Sequence, residues 1–149
     1  MSVERTLVLC KPDAVQRGLV GRIVARFEEK GLKIVGMKMV SVDEPLARRH
    51  YQEHVEKAFF SELVSFITSS PVVAMAIEGE NAVDVVRKLM GVTNPQQAAA
   101  GTIRGDYGLN LTKNLVHGSD SLTSAERELA LFFSSDELAS YTLDLENWM

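Results

Sequence analysis

Residues 71–77 read PVVAMAI, a nearly continuous apolar run, and such a run predicts a central strand. Downstream, Asn81 is placed to cap a helix carrying Val85, Val86 and Leu89, which Gly91 stops. Upstream, residues 60–68 predict a short helix with Leu63, Phe66 and Ile67 inward, and Pro45 opens another through Leu46, His50 and His54. Residues 32–42 alternate loosely and form a second strand, with Gly36 as a bulge position. Before it, Leu19, Val20, Ile23, Val24 and Phe27 recur at helical spacing, and Gly31 follows Lys30 as the stop. Residues 6–10, TLVLC, form a short buried strand that Lys11-Pro12-Asp13 ends.

Beyond Gly91 the periodicity disappears. Residues 92–110 predict a loop of nearly twenty residues, and loops of that length in compact domains are usually functional or disordered. Arg104 within it favours function. Residues 115–117 form a final short strand. Thr123-Ser124-Ala125-Glu126 matches a capping box that opens a helix with Leu129, Phe132 and Phe133 inward. Setting the extra helical pair aside, the order is βαββαβ. This predicts an α+β, ferredoxin-like arrangement, an antiparallel sheet with helices packed on one face, in a single domain over residues 1–149. The fold hosts many functions and does not decide this one.

Composition narrows the classes. The 149 residues are 46% hydrophobic and 24% charged, the balance of an ordinary soluble domain. No apolar run approaches the roughly 20 residues needed to span a bilayer, and the N-terminal segment lacks a signal-peptide core, so a cytoplasmic address is expected. Sixteen Lys and Arg against 20 Asp and Glu leave a net charge of −4, which argues against bulk binding to nucleic acid or anionic membrane. The one cysteine, Cys10, excludes an intramolecular disulfide and reads as a buried thiol.

The usual phosphate signatures are absent: no GxxxxGK[ST] and no strand-GxGxxG-helix. His117 draws attention instead. It follows Leu115-Val116 and precedes Gly118-Ser119-Asp120, at the end of a strand, and the next helix offers Glu126 and Glu128 as orienting acceptors. A neutral imidazole fixed in that way is a competent nucleophile near pH 7. The same position also suits a structural histidine. Lys11 lies just past the first strand, which the ferredoxin-like strand order lets approach His117; Arg87 on a helix and Arg104 in the long loop are further cations, although most surface Lys and Arg are simply solvated.

Residues 114–120, NLVHGSD, resemble the N-x-x-H-G-S-D signature of nucleoside diphosphate kinases. The resemblance continues through Lys11-Pro12-Asp13, residues 16–21 (QRGLVG), residues 71–75 (PVVAM), Thr93-Asn94-Pro95 and residues 101–106 (GTIRGD), in the same order over essentially the whole chain. It implies transfer of the γ-phosphate of a nucleoside triphosphate, such as ATP, to a nucleoside diphosphate. The mechanism is ping-pong through a phosphohistidine on His117, with broad base tolerance. Glu128, held by Ser119, resembles the carboxylate that orients His117, and Tyr51 the tyrosine near the transferred group. Lys11, Arg87 and Arg104 would surround the phosphates, with Thr93 giving a hydroxyl. Asn114 and Lys11 match contacts to the ribose 3′-hydroxyl, and Phe59 and Leu111 the pair that sandwiches the base. No carboxylate cluster resembles a metal cage, so Mg²⁺ is expected to arrive with the nucleotide. A homo-oligomer, hexamer or tetramer, is also implied. The chain departs from the family pattern at Ala58, where a proline is common, and at residues 96–100, a bland QQAAA that bears on subunit contacts.

Without the resemblance, Phe59 would read as core, Tyr51 as an amphipathic surface residue, Asn114 as a turn former, and Asp120 or Ser121 as helix caps. Two rival functions stand beside the kinase. His50-Tyr51-Gln52-Glu53-His54 is an H-x-x-E-H, the inverted zincin pattern, with Glu126 or Glu128 as a distant third ligand. A catalytically silent nucleotide-binding module would explain the nucleotide contacts but not His117 with its acid.

Overall fold

A computed structural model describes residues 2–149. Strand β1 (Val3–Cys10) lies inside a four-stranded sheet of order β2-β3-β1-β4, with β2 (Lys33–Val40), β3 (Val72–Glu80) and β4 (Val116–Gly118). Every pairing is antiparallel. Leu9 stands opposite Ala74 on one side and His117 on the other, so β1 joins the central apolar strand to the histidine strand. The register of β2 on β3 shifts between Ile34 and Gly36, the irregularity expected there.

The two-residue period of a strand explains why residues 6–10 are all buried. Val8 and Cys10 face one core with Ile23 and Phe27 of α2 (Val20–Lys30) and Val86 and Met90 of α5 (Ala82–Met90). Leu7 and Leu9 face a second core with Ala47 of α3 (Glu44–His50), Ile67 of α4 (Phe60–Ile67) and Phe132 of α7 (Leu122–Phe132). Helices therefore cover both faces of the sheet, not one, because the inserted α3 and α4 and the last helix have apolar faces of their own to bury. Each large apolar side chain wholly buried there contributes about 1.5–3 kcal/mol.

Local chemistry moves several boundaries. Pro12 does more than end β1: it opens a short helix, α1 (Pro12–Gln16), which its fixed φ suits. Gly31 ends α2 in the left-handed conformation at φ 100°. Asn81 occupies the N-cap position of α5, also left-handed, and makes no side-chain cap there. The predicted helix through His54 stops at His50 and continues as a 3₁₀ turn, Gln52–His54. Despite Ala58, residues 51–60 stay tight through successive turns, His54 N–H to Tyr51 O at 2.8 Å, Lys57 to His54 at 2.9 Å and Phe60 to Lys57 at 3.1 Å. The last helix is capped by Ser121, whose Oγ accepts from Ser124 N at 3.1 Å, so it starts before the predicted box. The long loop contains a helix, α6 (Ile103–Tyr107), capped by Thr102 Oγ1, which accepts from Gly105 N at 3.0 Å. Gly105 is obligatory at that turn, since a Cβ there would lie 1.9 Å from Ala99 O. Among the described residues no helix is long and apolar enough to cross a membrane.

Candidate active site

The sheet delivers its chemistry at one edge. Lys11 follows the last residue of β1, and its N–H donates to Leu115 O at 2.8 Å, which closes the gap between β1 and the chain entering β4. Leu115 is buried with φ 76°, a strained value for a bulky residue. Asp13 holds it there, its Oδ2 accepting from Leu115 N at 3.0 Å. The kink points Asn114 towards Lys11, and Nζ of Lys11 donates to Asn114 Oδ1 at 2.6 Å. Asn114 Nδ2 in turn donates to Thr93 O at 3.0 Å.

His117, half-buried on β4, has Nε2 2.8 Å from Glu128 Oε1 on α7. The buried Ser119 donates its hydroxyl to the same oxygen at 2.7 Å. Burial pushes the Glu128 carboxyl up, but the hydrogen bonds and charge of His117, with Ser119, outweigh it and leave the group below its ordinary value. A carboxylate only accepts, so the proton of a neutral His117 belongs on Nε2 and the lone pair on Nδ1. Glu126, the other acceptor considered, is exposed.

A cavity of about 580 Å³ opens in front of this pair. It is lined by Lys11, Tyr51, Phe59, Arg87, Thr93, Arg104, Leu111 and Asn114 together with His117 and Glu128. Of the anticipated site residues, only Ser119 lies behind the wall. Phe59, 46% exposed at the mouth, is not core, and Tyr51, 9% exposed, is not a surface residue. Burial raises the Tyr51 phenol to about 12, so it stays protonated.

The cations differ in how they are held. Arg87 is exposed and donates to Gly118 O at 3.1 Å. Arg104 is buried and stapled to three backbone carbonyls, Asn114 at 3.2 Å, Gly91 at 3.0 Å and Val116 at 2.7 Å. Burial, then the charge of Arg87, lowers its pKa to about 10. Burial and Arg104 push Lys11 down to about 8, against a smaller upward pull from Asp13. Arg127, a fourth cation on the wall, had no motif to mark it. Asp13 and His50 were likewise missed as site-building residues, since only the folded chain brings them to His117 and Leu115.

The zincin reading loses its geometry. His50 ends α3 while Glu53 and His54 lie in the following 3₁₀ turn, so the two histidines do not share one helix face. Among the described residues, the only metal-type cluster is His50, His117 and Glu128, which excludes Glu53, His54 and Glu126.

Comparison with known proteins agrees with the geometry. The family model "Nucleoside diphosphate kinase" matches residues 4–138. The chain is 59% identical to a nucleoside diphosphate kinase of Pelotomaculum thermopropionicum, with 99% of each covered. It is 58% identical to that of Archaeoglobus fulgidus, covering 99% of this chain and 97% of that one. Among solved structures, a halophilic enzyme of Halobacterium salinarum in complex with CDP superposes with a TM-score of 0.96 at 57% identity, covering 99% and 98% of the two chains. A Borrelia burgdorferi enzyme, a transition-state mimic with bound vanadate and ADP, gives 0.91 at 40% identity, covering 97% and 95%. With a sheet edge that gathers an acid-held histidine and three cations around one cavity, and with relatives matched end to end, this chain belongs to the nucleoside diphosphate kinase family.

Proposed function

We propose that this chain moves the γ-phosphoryl group of a nucleoside triphosphate onto a nucleoside diphosphate by way of His117. The observation that carries the reading is the Nε2 bond to Glu128, which leaves Nδ1 as the nucleophilic nitrogen in a cation-lined cavity. In the first half-reaction Nδ1 attacks phosphorus in line, the bond to the β-phosphate oxygen breaks, and the diphosphate departs. The imidazole then carries a positive charge, which Glu128 stabilises across the Nε2–H. A second diphosphate attacks the phosphohistidine and reverses each step, so one set of contacts serves donor and acceptor.

Phosphoryl transfer asks a protein chiefly for positioning and charge stabilisation. Lys11, Arg87 and Arg104 meet the phosphates, with Thr93 beside them and the Tyr51 hydroxyl near the group in flight. Asn114 and Lys11 hold the ribose hydroxyl. Phe59 and Leu111 flank the base, a stacking contact that reads no base edge and so accepts purines and pyrimidines alike. The CDP and ADP held by the two relatives support that tolerance. Mg²⁺ enters as part of the nucleotide complex, where it neutralises phosphate charge. The donor set fits this: the one metal-type cluster has two imidazoles, poor ligands for a hard cation, and the phosphates themselves supply oxygens. A homo-oligomer in the cytoplasm completes the proposal. Exposed Met37 and Met39 on the outer strand β2 supply apolar surface for association.

The test is incubation with γ-labelled triphosphate. The chain takes up an acid-labile, alkali-stable label that a nucleoside diphosphate of any base removes. Tight nucleotide binding without labelling would instead mark a silent binding module.

Lys11 sets a pH dependence. As pH rises through about 8 its charge is lost, and kcat/KM for the triphosphate falls about tenfold per unit above that point. Folding moves the other way. Between pH 8 and 10.5 the unfolded chain binds more protons at this lysine than the folded one, so its contribution to stability grows with pH there. A Lys11→Arg variant, charged throughout, flattens the alkaline limb of the rate profile. A limb that persists in the variant assigns it to another group.

A further inference from the structure

His50 is a polar side chain in an apolar place. It is 3% exposed, and neither ring nitrogen has a hydrogen-bond partner. Its ring stands edge-on to that of His117, centroids 4.6 Å apart, and is packed against Tyr51 and Phe132. Burying two unpaired nitrogens is costly, and phosphoryl transfer through His117 gives them nothing to do. A neutral imidazole held there without a partner has a lone pair to offer. One ligand-type atom from each of His50, His117 and Glu128 lies within 4.8 Å of the others.

We propose that His50, His117 and Glu128 form a site for a zinc-type divalent cation, and that its occupation switches the enzyme off. The switching half rests on His117 being the phosphate carrier; the binding half does not. Two imidazoles and a carboxylate are a donor set that zinc favours, with a fourth position left open to the cavity. Bonds of about 2.0–2.2 Å to a tetrahedral ion place the donors roughly 3.3–3.6 Å apart, so the His50 nitrogen draws in while Nε2 of His117 and Oε1 of Glu128, 2.8 Å apart, open slightly. His117, partly exposed on the cavity wall, has the room to turn. Mg²⁺ prefers oxygen ligands in octahedral array, so the magnesium carried by nucleotides does not compete. Binding is balanced in protons. The ion binds Nε2, and the proton that nitrogen held against Glu128 moves to Nδ1, so His117 stays neutral, no H⁺ is released and the attacking lone pair is lost. A metal in that place removes the carboxylate contact that stabilises the charged phosphohistidine, so transfer stops while the nucleotide cavity remains.

The experiment uses the full chain, stripped of metal and free of nucleotide, titrated with Co²⁺ and Zn²⁺. Expected are the intense visible absorption of four-coordinate Co²⁺, its loss on adding Zn²⁺, and a change of the His117 ring tautomer on Zn²⁺ binding, read by ¹⁵N NMR. Transfer activity in saturating Mg²⁺ falls in step and returns with a zinc-selective chelator. His50→Gln and His50→Phe each weaken the ion by at least about 100-fold, while His54→Gln leaves it unchanged. The phenylalanine fills the buried space without a lone pair, so one of the two variants reports even if the other folds poorly. Equal affinity in both His50 variants, or no binding by the wild type at micromolar Zn²⁺, overturns the site. Binding with the His117 tautomer change but undiminished transfer overturns the switch and, with it, the role of His117. Labelled His117 with no metal binding overturns this proposal alone.

Discussion

His117→Ala is expected to lower turnover by at least about 10⁴-fold, equivalent to roughly 5.5 kcal/mol of lost transition-state stabilisation. The size follows from covalency. Of the other nitrogen bases on the cavity wall, Lys11 is mostly protonated at pH 7, His50 is buried, and His54 lies in the 3₁₀ turn beside Phe59 at the mouth. Alanine removes only the ring, so Lys11, Arg87 and Arg104 still grip the phosphates, and diphosphate affinity stays within about threefold by equilibrium dialysis. Free imidazole added to the variant restores part of the rate by occupying the vacated space. Turnover surviving within tenfold of wild type would contradict the nucleophile.

Arg104→Leu should have the largest effect on stability. The guanidinium donates to Asn114, Gly91 and Val116, three carbonyls from two segments, and leucine leaves all of them without that donor. Losing buried charge-assisted bonds of this kind costs about 3–5 kcal/mol, a large part of the 5–15 kcal/mol that holds a typical domain together. For a chain of this length that lowers Tm by roughly 10 °C or more. Arg104→Lys keeps the positive charge but not the planar fork, so it recovers part of the nucleotide affinity and little of the stability. Urea titration read beside nucleotide binding separates the two roles. An unchanged midpoint in Arg104→Leu would show that the staple carries no weight.

Much of this was readable in the chain. Strands β1 and β3 announce themselves because both faces are covered, which turns alternation into continuous apolar runs. Gly31 and Gly91 mark real helix ends because each takes a positive φ. The candidate residues gathered through the motif order line one cavity, Ser119 apart. The remainder depends on contacts between distant segments. Leu115 in a left-handed conformation has no local signal, since leucine avoids it, and it exists because Asp13, 102 positions earlier, accepts its N–H. The break after His50 and the helix at residues 103–107 defeat periodicity for the same reason. Short segments there are shaped by what they pack against, not by their own pattern. Arg104 reads as a surface cation in sequence because its carbonyl partners are invisible until the backbone turns around it.

The bond between Lys11 N and Leu115 O also sets a timetable for biosynthesis. The ribosome releases the β1 end of the cavity first, and the acid beside His117, on α7, follows every other cavity residue in chain order. A nascent chain lacking that helix has Lys11, Arg87, Arg104 and His117 but not the carboxylate that holds the ring. Under the proposed mechanism efficient exchange waits for Glu128, which makes its appearance in a translation reaction a clock for the docking of α7.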